Sequence, residues 1–316
     1  RNAHTGVLVG AAARKYAASS DAAATVRSVK RILGRRDVGA EDVARMRWLS
    51  ALSVRGAGAT GELLLSCPGL DSSVSASEVS AEVVRTLLDS ACTALGAPIR
   101  RAVVTVPAHF SEEQRAATET ACTLAGLEQV YLLREPEAAA LAYGHGRRHD
   151  ERCLIFDLGG GTFDVSVVDV GGNTIEIIST GGDVSLGGDD FDEAIAAYAT
   201  TELVRRTGVT PDGPSRYRIV CAAQEARHAL SEATRTTISL KGLSGTRAQT
   251  SEAAGGDRVE AVSAALVDLE LPLTRRKFEV LTRPLLERMV PVLVKVAHDA
   301  GIRLNVAGAE EDEDDL

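Results

Sequence analysis

Apolar and polar positions along this chain alternate in some stretches and recur at helical spacing in others, which predicts a mixed succession of strands and helices. Residues 6–10 (GVLVG) predict a short strand, followed by an alanine-rich helix through Ala18. Residues 25–33 predict a short helix or helix–turn ending at Gly34, and residues 46–54 and 62–67 predict two strands. Ser77 or Ser80 is then expected to open a helix with Val83, Leu87, Leu88, Ala91 and Leu95 on one face, closing at Gly96. Residues 102–106 predict a short strand, apolar but for Thr105. The SEEQ sequence at 111–114 is a capping box, opening a helix that stops at Gly126. Residues 127–133 return as a strand, and a second helix starts at Glu135 with Pro136 in its first turn and runs to Tyr143.

After a polar turn at 144–151, residues 153–156, 163–170 and 173–179 predict a three-stranded meander, with Gly171 and Gly172 making one hairpin turn. Asp190 and Glu193, spaced as a capping box, predict the start of a helix reaching about Arg206, followed by a loop over 208–215. A helix over 217–233 and a strand over 236–240 come next, then a flexible insertion or distorted hairpin over 242–256. Thr274 is placed to cap a helix starting at Arg275. Pro284 and Pro291 predict that this helix is interrupted before Ala300.

Composition narrows the class without changing this picture. A chain of 316 residues can bury a substantial core and is expected to divide into two lobes. Aromatic residues make up only 3%, so the core must be built from small and aliphatic side chains. The formal charge of −9 gathers partly in an acidic tail at 310–316, and no basic surface interleaved with aromatics is present, so nucleic acid is not an expected partner. Five cysteines lie far apart with no Cys-x-x-Cys spacing, which argues against a structural zinc site or a disulfide scaffold. Cys153 and Cys221 sit in apolar runs and are read as buried thiols. No apolar run approaches the length of a membrane span, and no membrane association is expected.

Candidate chemistry concentrates in DLGGGTFD at 157–164. Three glycines between two strand-like runs make a turn without side chains, whose backbone N–H groups can approach an anion. Asp157, Asp164 and the Thr162 hydroxyl flank it. Aspartate alone would repel phosphate, so a bridging divalent cation completes the reading. A plain hairpin with a glycine-rich turn is the alternative.

This octet resembles the second phosphate-binding loop of Hsp70 (DnaK-type) molecular chaperones, members of the actin-like ATPase superfamily with a ribonuclease H-like two-lobe α/β fold. SVKRILGRR at 28–36, VVTVPAHF at 103–110, LLREPEAAALAYG at 132–144 and TGGDVSLGGDDFD at 180–192 extend the resemblance over nearly the whole chain. Parts of it also resemble the branch devoted to iron–sulfur cluster assembly, although general members share most of those residues. The resemblance implies a first lobe at 1–150, with a peripheral subdomain at 1–76 and a core subdomain at 77–150. The second lobe at 151–309 would have a core at 151–190 and 273–309 and a peripheral subdomain at 191–272.

By the same resemblance Lys30 is the catalytic lysine, a mobile point charge near transferring phosphate oxygens. Its alternative is one more cation in a basic cluster with Arg27, Arg31, Arg35 and Arg36. Glu135, Asp157 and Thr162 join Lys30 as catalytic positions. Asp157, Asp164 and Glu135 would hold Mg, partly through water. Gly159, Gly160, Gly161, Thr162, Gly187 and Gly188 would contact phosphates, and Gln224, Arg227 and Ser231 the adenosine of ATP or ADP. Pro107 and Arg115 align with residues that relay nucleotide state to a peptide-binding domain. His109, Arg134, Glu137, Gln224 and Arg227 depart from the usual tyrosine, asparagine, threonine, glutamate and lysine. His109 is expected to be a hydrogen-bonded structural residue rather than an acid or base. Arg227 could also be the solvent-side arginine of a surface helix.

The implied function is ATP-dependent control of unfolded-protein binding in folding and stress response, with unfolded clients, a J-domain co-chaperone and a nucleotide exchange factor as partners. The family's first phosphate loop and its C-terminal adenosine motif have no counterpart in these residues, so the fold is expected to be incomplete at both ends and hydrolysis by these residues alone weak. A non-catalytic pseudo-ATPase or partner-binding module is the alternative, and a sugar or acetate kinase of the same superfamily is disfavoured. The cytoplasm is the expected compartment, with mitochondrion and plastid as alternatives.

Overall fold

A computed structural model of the chain describes residues 6–19, 25–36, 53–55, 63–66, 73–144, 150–171, 174–252 and 258–304. The expectations for 46–52, for Gly172, for the acidic tail and for the tip of the 242–256 insertion fall outside these residues.

In the first half, helix α1 (Ala11–Ser19) precedes a single 3-10 turn, Val29–Arg31. Residues 6–9 are not a strand, because no described residue pairs with them. Strands β1 (Ser53–Arg55), β2 (Leu64–Ser66) and β3 (Val74–Ser75) form one small antiparallel sheet. Helix α2 (Ala76–Leu95) is capped by Ser75, whose hydroxyl accepts from the Glu78 N–H at 3.1 Å while the Glu78 carboxylate accepts from the Ser75 N–H at 2.7 Å. The expected cap at Ser77 or Ser80 is therefore wrong. Ser77 is buried instead and its hydroxyl donates to the Ala117 carbonyl. The apolar stripe of α2 is also not a core face. Val83, Leu87 and Leu95 are 44%, 64% and 71% exposed, and only the first turns, with Ala76, Ser77 and Ala81, reach the interior.

Strand β4 (Arg101–Val106), helix α3 (Glu112–Leu124), strand β5 (Gln129–Arg134) and helix α4 (Glu135–Gly144) follow the predicted order. The two strands are parallel and in register from Arg101–Gln129 to Val106–Arg134. In strand β4 Val103 is exposed, and only Val106 is fully buried. The capping box at Ser111 and Gln114 forms as predicted. Gly34, at φ 71°, lies so close to α3 that a Cβ there would stand 2.6 Å from the Gln114 Cα. A side chain at this position is thus excluded by both backbone and packing. The core of this half joins Ile32 and Leu33 to Leu65, Ala76 and Ala117.

The second half opens with the predicted antiparallel meander, β6 (Glu151–Leu158), β7 (Phe163–Gly171) and β8 (Thr174–Asp183). Helix α5 (Gly188–Thr207) starts at Gly187, not at Asp190, whose carboxylate instead accepts from the Gly187 N–H at 2.8 Å. The Glu193 carboxylate accepts from Arg216, so it caps nothing. Within the expected 208–215 loop, β9 (Val209–Pro211) pairs with the next sheet, and helix α6 (Gly213–Glu232) starts at Asp212. The expected insertion is two long strands, β10 (Arg235–Glu252) and β11 (Arg258–Thr274), with one register irregularity between Leu240 and Leu243.

Helix α7 (Arg275–Asp299) is capped by Thr274 as predicted, yet continues through Pro284 and Pro291. Each proline forfeits an i→i−4 hydrogen bond, at about 3 kcal/mol in an isolated helix. Burial of Met289 and Val296 against the meander offsets that loss. Leu203, Ile219, Leu243 and Leu271 centre a separate core between α5, α6 and the long strands. Cys153 and Cys221 are half-buried rather than buried, and Cys122 is the buried thiol among the described residues. No helix of the described residues is long and apolar enough to cross a membrane.

Candidate functional site

The turn between β6 and β7 and the turn before α5 are locked together by backbone. The Gly159 N–H donates to the Thr162 carbonyl at 2.9 Å, closing the first turn. The Gly188 N–H then donates to the Gly159 carbonyl at 2.9 Å and the Asp189 N–H to the Gly160 carbonyl at 2.8 Å. The start of α5 thereby satisfies the carbonyls of the triple-glycine turn. The Gly160 and Gly161 N–H groups have no acceptor among the described residues. A Cβ on Gly160 would meet nothing within 4 Å, so this face of the turn is open. The two glycine motifs singled out from the sequence thus form one structure. A short backbone arc with spare N–H groups is suited to an anion.

Lys30 and Glu135, 105 residues apart, meet, with the Lys30 ammonium donating to the Glu135 carboxylate at 2.8 Å. The ammonium also lies 5.8 Å from the centre of the Phe110 ring. Glu135 sits at the first residue of α4, where the helix dipole favours a carboxylate. Thr162 and Asp164 are buried, whereas Asp157, opposite Asp164 in register, is exposed. Pro107 and Arg115 belong to one substructure: the Arg115 guanidinium donates to the Phe110 carbonyl at 3.2 Å and to the Ala108 carbonyl at 3.4 Å. Arg115 is therefore a staple for the turn after β4.

His109 is the residue that sequence reasoning undervalued. Its Nδ1 lies 2.6 Å from the buried Asp164 Oδ1, without the angle of a hydrogen bond, and neither ring nitrogen has a hydrogen-bond partner among the described residues. The expected structural role finds its polar partner in the Asp164 carboxylate, at ion-pair distance. Its ring fills the space beside Gly182, where a Cβ would stand 2.9 Å from the His109 Cε1. The signal available in the sequence was its place two residues after Pro107, where the resemblance has tyrosine.

Beyond the glycine turns opens a cleft of about 490 Å³ lined by Gly159, Gly160, Gly188, Arg227 and Ser231, together with Leu158, Phe191, Leu230, Arg275, Phe278 and Glu279. Arg227 is not a solvent-side arginine. Its guanidinium donates through Nε and NH2 to the two carboxylate oxygens of Asp192, at 2.6 and 3.2 Å, and Asp192 is fully buried. Gln224 does not line the cleft; its side-chain oxygen accepts from Arg14 at 2.7 Å. Arg275, which the sequence did not suggest, caps the end of α6 by donating to the Leu230, Ser231 and Ala233 carbonyls.

The three carboxylates proposed for a metal do not converge. Among the described residues no three His, Cys, Asp or Glu side chains could hold an ion by themselves. Carboxylates are the donors a hard cation takes, and water and phosphate oxygens would have to complete its shell; Asp164 Oδ1, the buried oxygen among them, has His109 Nδ1 as its close neighbour.

Arg134 and Glu137 explain each other. Glu137 accepts from the Arg134 guanidinium at 2.9 Å and from its backbone N–H at 3.2 Å, and these interactions hold its carboxyl below the usual 4.5. A depressed carboxyl stabilises the fold above its unfolded value and loses that effect as pH falls through the folded one. Arg134 is 41% exposed, so the pair contributes less than about 1 kcal/mol. Glu137→Gln should lower the melting temperature slightly at pH 7, and the difference from the parent should vanish near pH 3. A difference that persists unchanged at pH 3 would contradict this account.

A profile described as Hsp70 protein matches residues 2–307. The chain is 38% identical to the chloroplastic stromal 70 kDa heat shock-related protein of Pisum sativum over 279 residues, 88% of this chain and 37% of that protein. It is 38% identical to the chaperone protein dnaK of Guillardia theta over 272 residues, 85% of this chain and 40% of the relative. Identity to the chaperone protein DnaK of Prochlorococcus marinus is 40% over 288 residues, 90% of this chain and 42% of the relative. The chain thus spans about two fifths of the length of these relatives.

Proposed function

Because this chain belongs to the Hsp70 family and has its actin-like ATPase fold, we propose that it binds ATP and Mg at the glycine turns and serves an ATP-dependent protein-folding chaperone. The observation that carries this reading is the pair of docked glycine turns, with Gly160 at the cleft, the Gly160 and Gly161 N–H groups without an acceptor among the described residues, and Lys30, next in the chain to the Arg31 that binds the turn, paired with Glu135. Gly159 to Thr162 and Gly187 to Gly188 would take the phosphates, and Arg227 and Ser231 the adenosine. Asp157, Asp164 and Glu135 would hold Mg, which when bound neutralises phosphate charge.

The residues of the chain then have separable tasks. Lys30 supplies a positive point charge at the phosphate end, held by Glu135 until an anion competes for it. Glu135 offers a carboxylate oxygen to orient a water molecule, and Thr162 a buried hydroxyl. Arg227 is fixed by Asp192, so its planar face stays at the cleft. Pro107 and Arg115, joined in one turn, would pass a change at His109 and Asp164 to a client-binding domain. Unfolded proteins, a J-domain co-chaperone and a nucleotide exchange factor are the partners that follow from this reading, and the cytoplasm or a plastid its setting. The separate cores of the two halves support lobes at 1–150 and 151–309.

Isothermal titration of the chain with ATP and magnesium tests the reading. Saturable binding that weakens at least about tenfold without magnesium, and by a similar factor in Asp164→Asn, is expected. Absence of binding at millimolar ATP would reject it. Magnesium-dependent binding without phosphate release would identify a non-catalytic ATP binder.

A further inference from the structure

We infer that Arg31 is the positioning residue of the phosphate end, the side chain that sets the triple-glycine turn, the start of α5 and Lys30 in one arrangement. This rests on the ATP-binding reading above. The sequence offers Arg31 as one of five cations in a basic cluster, but the structure separates it from the rest. Its side chain is 2% exposed, and its Nε donates to the Gly161 carbonyl at 2.8 Å. Its two terminal nitrogens donate to the two oxygens of Asp190, NH1 at 3.3 Å and NH2 more closely.

Asp190 in turn accepts from the Gly187 N–H, so a single guanidinium holds both glycine turns. With the Gly161 carbonyl held by Arg31 and the Gly160 carbonyl by Asp189, the carbonyls of the turn face away from an anion and its N–H groups are left for one. Lys30 precedes Arg31 in the same 3-10 turn, so anchoring Arg31 also sets where the ammonium of Lys30 emerges. That turn is itself constrained. Ser28 at its start has φ 48°, in the left-handed region that a non-glycine residue rarely adopts, and its hydroxyl bonds the Asp189 carboxylate. Only a planar fork can serve Gly161 and both Asp190 oxygens together, so lysine is not an equivalent.

Two measurements test this. In the nucleotide-free chain, Arg31→Lys should raise amide hydrogen exchange at Gly159 and over 187–189, whose N–H groups are bonded within and between the two turns, by about tenfold or more while leaving the middle of α6 unchanged. In titrations, the ratio of ATP–Mg affinity to adenosine affinity should fall at least about tenfold, with adenosine affinity within about twofold of the parent. Should the lysine variant fold poorly, Arg31→Met with Asp190→Asn removes both charges together, keeps an acceptor for the Gly187 N–H and should show the same two changes. Unchanged exchange at Gly159 and over 187–189 in the folded variants overturns the inference whether or not ATP binds. Increased exchange with no ATP preference in the parent chain would leave Arg31 as the holder of the turn and reject the ATP-binding reading instead. An ATP preference kept in full by both variants also overturns the inference.

Discussion

Gly187→Ala should lose phosphate-dependent nucleotide affinity by more than about 100-fold and destabilise the fold by about 1–3 kcal/mol. The backbone of Gly187 is extended, at φ −173° and ψ −175°, so any residue could adopt its dihedrals. The obstacle is contact. A Cβ there would stand 2.6 Å from the Gly160 carbonyl carbon and oxygen and 2.7 Å from the Gly161 nitrogen. These are backbone atoms with no rotamer to change, so the turn itself must move, and with it the N–H groups proposed to face phosphate. Gly160→Ala is the matched control, because its Cβ meets nothing within 4 Å. Its stability should match or slightly exceed the parent's, by up to about 1 kcal/mol through a stiffer unfolded chain. Thermal melts and ATP titrations of the two variants make the comparison. A Gly187→Ala protein that melts and binds like the parent would show that the two turns are not rigidly docked.

Asp192→Ala is the second large effect, expected to destabilise by about 2–4 kcal/mol. The Asp192 carboxylate is fully buried, and the Arg227 guanidinium it accepts from is 25% exposed. Deleting the carboxylate leaves a mostly buried positive charge without its counter-charge, although partial access to water moderates the cost. Adenosine affinity should fall as well, because Arg227 would no longer be held at the wall of the cleft. Removing both groups, as Asp192→Ala with Arg227→Met, should recover most of the stability and none of the adenosine affinity. Denaturant melts check the first expectation and titration the second. If the double variant is as unstable as the single one, the pair is not what links Asp192 to stability.

Much of the local structure was legible before the fold was known. The capping box at Ser111, the cap at Thr274, the glycine stops at Gly96 and Gly126 and the meander over 151–183 all use neighbouring residues, so their signals are complete within a few positions. Errors arose where a distant partner outvoted a local preference. Pro284 and Pro291 lie inside α7 because the meander beneath buries Met289 and Val296. The stripe from Val83 to Leu95 looked like a core face, but periodicity cannot tell whether another element covers it. The 242–256 stretch, rich in glycine, serine and threonine, leaves a flexible insertion and a distorted hairpin open by composition, and the pairing of β10 with β11 as far as Glu252, irregular between Leu240 and Leu243, selects the hairpin.

The candidate site divides along the same line. Its residue types were determined by the sequence: a glycine turn flanked by Asp157, Thr162 and Asp164, a second glycine pair, a lysine after Val29 and a glutamate before Pro136. Such motifs can be read because chemistry at a turn depends on near neighbours. What the sequence could not determine was who touches whom between residues far apart in the chain. The tertiary structure alone brought Lys30 to Glu135, His109 to Asp164 and Arg31 to both Gly161 and Asp190, and it drew Gln224 away to Arg14. Arg31 shows the physical reason. A cation in a run of basic residues is by default solvated, and only burial against two specific acceptors makes its geometry decisive.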